Sequence, residues 1–127
     1  MNESPLLSCK VYTLNNIEMV HIAEFASITH RSIQSTRALI EKGNVVRKLK
    51  FYRDRSRLMI PVVELYGYPL IKAGHSEGVR QVFHYDDVVH EDGTVTIEKV
   101  LCTKCTYDMG CERRKLADAL VVPEGDK

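Results

Sequence analysis

The sequence has no apolar run approaching the length that crosses a bilayer. It also has no internal repeat and no low-complexity segment. The first absence excludes a membrane-spanning helix, and the second excludes a solenoid or an array. It lacks a phosphate-cradling glycine loop, a Gly-x-Ser-x-Gly elbow and a His-Glu-x-x-His pair. The chain is therefore not expected to be an enzyme. Asp86-Asp87 reads as a solvated acidic turn rather than a cation site.

At 127 residues the chain can hold one domain, or a small domain with a compact appendage. Leu6-Leu7-Ser8-Cys9 has the small-residue pattern of a lipoprotein cleavage site, but it lacks a basic leader and a long apolar region. A cytoplasmic location is expected. Four cysteines in that reducing compartment argue against a disulfide framework and direct attention to metal.

The net charge is only +1, but it separates by segment. Residues 28–57 hold nine Lys and Arg against Glu41 and Asp54, whereas residues 75–127 hold seven against eleven acidic residues. A local excess of cations is the footprint of a nucleic-acid partner.

Residues 9–14 read as a short strand, in one sheet with the hairpin of residues 45–60, that leads into a helix predicted over residues 17–26, with Ile17, Val20 and Ala23 on one stripe. Ser27-Ile28-Thr29 breaks it, and Thr29 is placed to cap a second helix over residues 30–42. That helix puts Ile33, Thr36, Leu39 and Ile40 on one face and His30, Arg31, Gln34, Ser35 and Arg37 on the other, with Gly43 as its stop. Residues 45–60 read as two strands around a turn at Arg53-Asp54-Arg55. Val45, Leu49, Phe51, Leu58 and Ile60 face inward there, and Lys48 and Lys50 outward. Pro61 ends the second strand and opens a short helix over residues 62–65.

This order resembles the winged helix-turn-helix of the MerR and excisionase superfamily across roughly residues 11–70. The resemblance is carried by Ile22-Ala23-Glu24-Phe25, by Ser35-Thr-Arg-Ala-Leu-Ile-Glu-Lys-Gly43 and by Arg57-Leu-Met-Ile-Pro61 before Leu65. It departs from MerR regulators after Leu65, where Gly67, Pro69 and Gly74 rule out a long dimerisation helix. The expected fold is α+β: an arm over residues 1–9, a winged helix-turn-helix over 10–72, and a β-hairpin with a C-terminal helix over 73–127. The resemblance implies double-stranded DNA as the partner, bound by a small regulator or excisionase-like factor of phage or mobile-element type. Arg31, Gln34 and Arg37 would meet bases, with His30 and Ser35 beside them, and Lys48, Lys50, Arg53 and Arg55 would hold phosphates. The alternative is an adaptor that binds a protein partner, or a second copy, through its acidic C-terminal half.

In that half, residues 79–85 and 94–101 alternate as strands around the turn signal Glu91-Asp92-Gly93, and residues 111–120 read as a helix with Leu116, Ala119 and Leu120 inward. Cys102, Cys105 and Cys111 fall between strand and helix. A Cys-x2-Cys turn brings two thiolates to one tetrahedral ion. The spacing resembles part of the cluster-binding signatures of WhiB-like regulators and of glycosylases related to endonuclease III. The set is one ligand short. Cys9 would complete it for zinc or an iron–sulfur cluster, and His84 or His90 would favour zinc. Zinc is preferred. His21 and His75 read as ordinary surface or edge residues.

Overall fold

The computed structural model describes residues 10–73, 80–106 and 109–123. The expected N-terminal arm with Cys9, and His75, lie outside the described residues. Among the described residues the chain forms seven strands in two sheets and four helices.

The strand expected over residues 9–14 is present from Val11, but it turns back into a second strand instead of leading into a helix. β1 (Val11–Leu14) pairs antiparallel with β2 (Ile17–His21), Leu14 opposite Ile17. The turn is Asn15-Asn16, whose φ angles are 52° and 63°. Two successive left-handed residues are what a two-residue hairpin turn requires, and asparagine tolerates that region better than other side-chain-bearing residues. This hairpin overturns the expected N-terminal winged helix-turn-helix. The chain is α+β, but it opens on a strand pair, and residues 17–21 extend where a helix was expected.

α1 (Ile22–Ile28) follows, its first turn held by His21 Nδ1, which accepts from the Ala23 amide at 3.1 Å. His30, at φ 55°, closes it: His30 N donates to Ser27 O and Arg31 N to Ala26 O, the paired bonds of a Schellman stop. Thr29 therefore ends α1, and its hydroxyl donates back to Phe25 O at 2.8 Å. The cap of α2 (Ile33–Glu41) is Ser32, whose Oγ accepts from Ser35 N at 3.0 Å. Moving the start from residue 30 to 33 places Thr36, not Ile33, at the core. Thr36 is fully buried and Ile33 is 44% exposed.

Residues 42–51 form a loop instead of the longer first strand expected. Gly43 stops α2 at φ 71°, where a Cβ would meet Lys48 Cα at 2.7 Å. Asn44 Oδ1 then accepts from Val46 N and Arg47 N, and its Nδ2 donates to Pro69 O. In this loop Leu49 is buried, while Val45 and Phe51 are exposed, against the expectation that all three point inward. β3 (Tyr52–Asp54) and β4 (Arg57–Pro61) form the next hairpin, and the first sheet runs β1-β2-β4-β3. β4 is internal, which buries Leu58, Met59, Ile60 and Pro61.

After α3 (Val62–Gly67) comes the second sheet, β5 (Leu70–Ala73), β6 (Arg80–Val89) and β7 (Val95–Leu101), in that spatial order. The β6–β7 hairpin turns at Gly93, φ 87°. α4 (Glu112–Ala119) packs on α3. A Cβ on Gly67 would lie 2.7 Å from Ala117 Cβ, so two small residues set this close crossing. The crossing also inverts the expected face of α4. Arg114 and Ala117 are buried, and Leu116 is 63% exposed. One core cluster joins Val20, Ile22, Phe25, Leu49, Leu58, Ile60 and Leu65 to Tyr85 and Ile97 of the second sheet. No helix among the described residues is long and apolar enough to cross a membrane.

Ile60→Ala should lower unfolding free energy by about 2–5 kcal/mol, the cost of a cavity in a closed core. Ile33→Ala should cost under about 0.5 kcal/mol, as at a surface position. Urea melts of the two variants check the inverted placement. Equal losses would return Ile33 to the core.

Candidate metal centre

Register builds the centre. His84 lies opposite Val100 on β6–β7, and Cys102 N donates to Val82 O, extending the ladder by one more bonded pair. Cys102 is two residues beyond Val100, so it projects from the same face as His84. Cys105 follows on the Cys-x2-Cys turn. Cys111 is the N-cap residue of α4. The ligand atoms of His84, Cys102, Cys105 and Cys111 all lie within 4.8 Å of one another and could hold a metal ion.

His84 Nε2 is 2.8 Å from Cys105 Sγ and 3.7 Å from Cys111 Sγ. The edges of a three-sulfur, one-nitrogen zinc tetrahedron are about 3.6–3.8 Å, from its usual bond lengths. The His84–Cys111 edge already has that length. The His84–Cys105 pair is a hydrogen bond that must open by under about 1 Å. Cys105 Sγ also accepts from the Cys111 amide at 3.1 Å, an N–H aimed at the atom that carries the thiolate charge.

Burial lowers the His84 pKa and the nearby Arg114 charge lowers it further, so the ring is neutral and free to ligate. Its Nδ1 is buried with no hydrogen-bond partner among the described residues, and the Tyr68 backbone only partly opposes the fall in pKa. Burial pushes the Cys105 thiol up to about 12. Burial also opposes ionisation of Cys111, but the Arg114 amide and the Cys105 and Cys102 thiols outweigh it, and its pKa falls. A thiol whose ionisation is eased, beside an imidazole whose neutral form is favoured, lowers the cost of the deprotonated ligands that an ion needs. Arg114 closes the cysteine loop, its Nη1 donating to Thr106 O at 2.8 Å and Met109 O at 3.3 Å. It is buried, and its charge gave no sign in sequence that it served the cluster.

Of the sequence candidates, Cys102, Cys105 and Cys111 converge with His84. His90 stands elsewhere, at the hairpin end, 2.8 Å from Thr96 Oγ1 and 3.1 Å from Glu98 Oε2. Cys9 lies outside the described residues. Among the DNA candidates, His30, Gln34, Ser35, Arg37, Lys48, Arg53 and Arg55 are exposed and Arg31 is half-buried. Lys50 is differently engaged. Its Nζ donates to the carbonyls of Ala117, Asp118 and Leu120 at 2.8, 2.7 and 2.6 Å, so it caps α4.

Protein purified anaerobically should carry about one equivalent of metal by elemental analysis. Cys105→Ser and His84→Ala should each release it, and Cys9→Ser should retain it. Retention in His84→Ala with loss in Cys9→Ser would transfer the fourth position to Cys9.

No protein-family model matches this chain, and no curated protein and no solved structure matches it either.

Proposed function

We propose that the chain is a cytoplasmic DNA-binding protein that carries one structural zinc ion. The observation that supports DNA binding most is a cationic groove between α2 and the β3–β4 hairpin. Arg37, Lys48 and Arg53 line it with the exposed ring of Phe51, and Glu41 is its one acidic wall residue. Of the nine cations in residues 28–57, three are engaged within the chain. Arg47 binds Glu64 and Asp118, Lys50 caps α4, and Arg57 pairs with Asp54. Arg37, Lys42, Lys48, Arg53 and Arg55 are exposed. A duplex offers one phosphate charge per about 1.7 Å of axis, which such a surface neutralises as it releases counterions. Gln34 and Arg31, near the start of α2, are the base-reading candidates.

The donor set favours zinc over an iron–sulfur cluster. Three cysteines and one histidine make a closed tetrahedral site, and such sites hold folds together rather than activate water. A regulator or excisionase-like role fits this reading. The protein-adaptor reading is favoured by a different observation: Met109, Leu116 and Val121 in the C-terminal part are 67, 63 and 83% exposed.

The test is fluorescence anisotropy on a random duplex across a salt series. Replacing Arg53 and Arg55 with Ala should weaken binding and reduce the log–log salt slope by about one unit for each lost phosphate contact. Gln34→Ala should cost about 1–3 kcal/mol on a selected site and much less on random DNA. Salt-independent or undetectable binding by the zinc-loaded protein would leave the adaptor reading.

A further inference from the structure

α4 is tied at both ends, and its two ties belong to different parts of the molecule. Cys111 caps its N-terminus and is one of the four clustered ligands. At the other end, Lys50 Nζ donates to the carbonyls of Ala117, Asp118 and Leu120, and Asp118 accepts from Arg47 Nε at 2.7 Å. Lys50 and Arg47 flank Lys48, an exposed cation of the groove. The loop that presents Lys48 is therefore fastened to the C-terminal end of a helix whose N-terminal end starts at the metal centre.

Between these ties α4 crosses α3 at Gly67 and Ala117, and Arg113 pairs with Asp86 at 3.1 Å and lies over the Tyr66 ring. Only Arg114 and Ala117 are buried, so its apolar contribution is small. Eight residues make about two turns and span about 12 Å, which is too short to be stable without tertiary ties. From this arrangement we infer that α4 is a strut through which metal occupancy sets the conformation of the residue 47–51 loop, and so regulates the DNA-binding face. The regulatory half of the inference rests on the DNA-binding reading, whereas the coupling of metal to loop does not. Without the ion, Cys111 loses its anchor and α4 frays. The carbonyls that hold Lys50 then disperse and Arg47 loses Asp118, which leaves the loop that carries Lys48 on its ties to Glu64, Tyr68 and Leu39 alone and so less restrained.

Two amides report the loop directly: Leu49 N donates to Leu39 O at 2.9 Å, and Lys50 N donates to Glu64 Oε2 at 2.8 Å. Thr36 N, bonded to Ser32 O within α2, is the reference. In the zinc-loaded full chain both loop amides should be protected from hydrogen exchange. Chelation should speed their exchange about tenfold or more and leave Thr36 unchanged, with DNA affinity falling about tenfold. Asp118→Ala gives a test of sign. Removing an acidic residue should by charge alone tighten DNA binding. The strut requires the loaded variant to bind more weakly than wild type and to respond less to chelation. Unchanged loop exchange on zinc removal overturns the inference, and so does tighter binding by Asp118→Ala with a full zinc response. Loop amides that respond in a protein that does not bind DNA uphold the coupling and remove only the DNA reading.

Discussion

The structure is organised around one buried carboxylate. Glu64 on α3 is fully buried, and it accepts from both Arg47 Nη atoms, at 2.6 and 2.7 Å, and from the Lys50 amide at 2.8 Å. Arg47 continues the network to Asp118, and its guanidinium lies 5.1 Å from the centre of the Tyr68 ring. The Tyr68 hydroxyl donates to Arg47 O at 3.0 Å. Burial opposes the Arg47 charge, but Glu64 and Asp118 more than offset it and its pKa rises. Breaking such a pair leaves a charge in a dry site, at a cost of about 3–5 kcal/mol. An apolar replacement of the whole pair could be as stable, so what the charges contribute is geometry. They fix the 47–51 loop against α3 and α4 at once.

That network explains why part of the basic stretch was legible in the sequence and part was not. Arg53 on β3 and Arg55 in the turn that follows it, one residue beyond the centre that alternation marks, are both exposed. Lys48 and Lys50 have the same spacing and the same charge, and the sequence gives no reason to separate them. Their difference comes from residues 117–120, about seventy positions away, whose carbonyls need a cation. A helix C-terminus that exposes unpaired carbonyls recruits a nearby lysine. No local pattern records which lysine that is.

The elements show the same division between local and non-local control. The β6–β7 hairpin was readable because alternation and Glu91-Asp92-Gly93 act within a few residues. The strand over residues 9–14 was readable, and the Asn15-Asn16 turn after it was also a local signal that would have placed β2 before α1. Helical spacing of Ile17, Val20 and Ala23 competed with it. The sheet prevailed because β2 has neighbours on both sides, β1 and β4. The inward face of α4 was not readable. Leu116 is the more apolar residue, yet the close approach of Gly67 admits only Ala117.

The candidate metal centre sits at the junction of these two kinds of control. Cys102, Cys105 and Cys111 announce themselves by spacing, because thiolates near one ion must come from a tight turn and a nearby helix start. Between His84 and His90 the fourth position is a question of register, open until β6 and β7 are paired. The pairing that puts Val100 opposite His84 puts Cys102 on the same face, while His90 falls at the far end of the hairpin. A shift of one residue would have turned His84 to the opposite face. The ladder is held by bonds on each side of the centre, from Cys102 N to Val82 O and from His90 N to Thr94 O. The sheet therefore brings His84 and Cys102 to one face, where they meet Cys105 and Cys111, the residue from which α4 begins. The position of α4 determines which lysine caps its end, and hence which cations of the basic stretch remain on the surface.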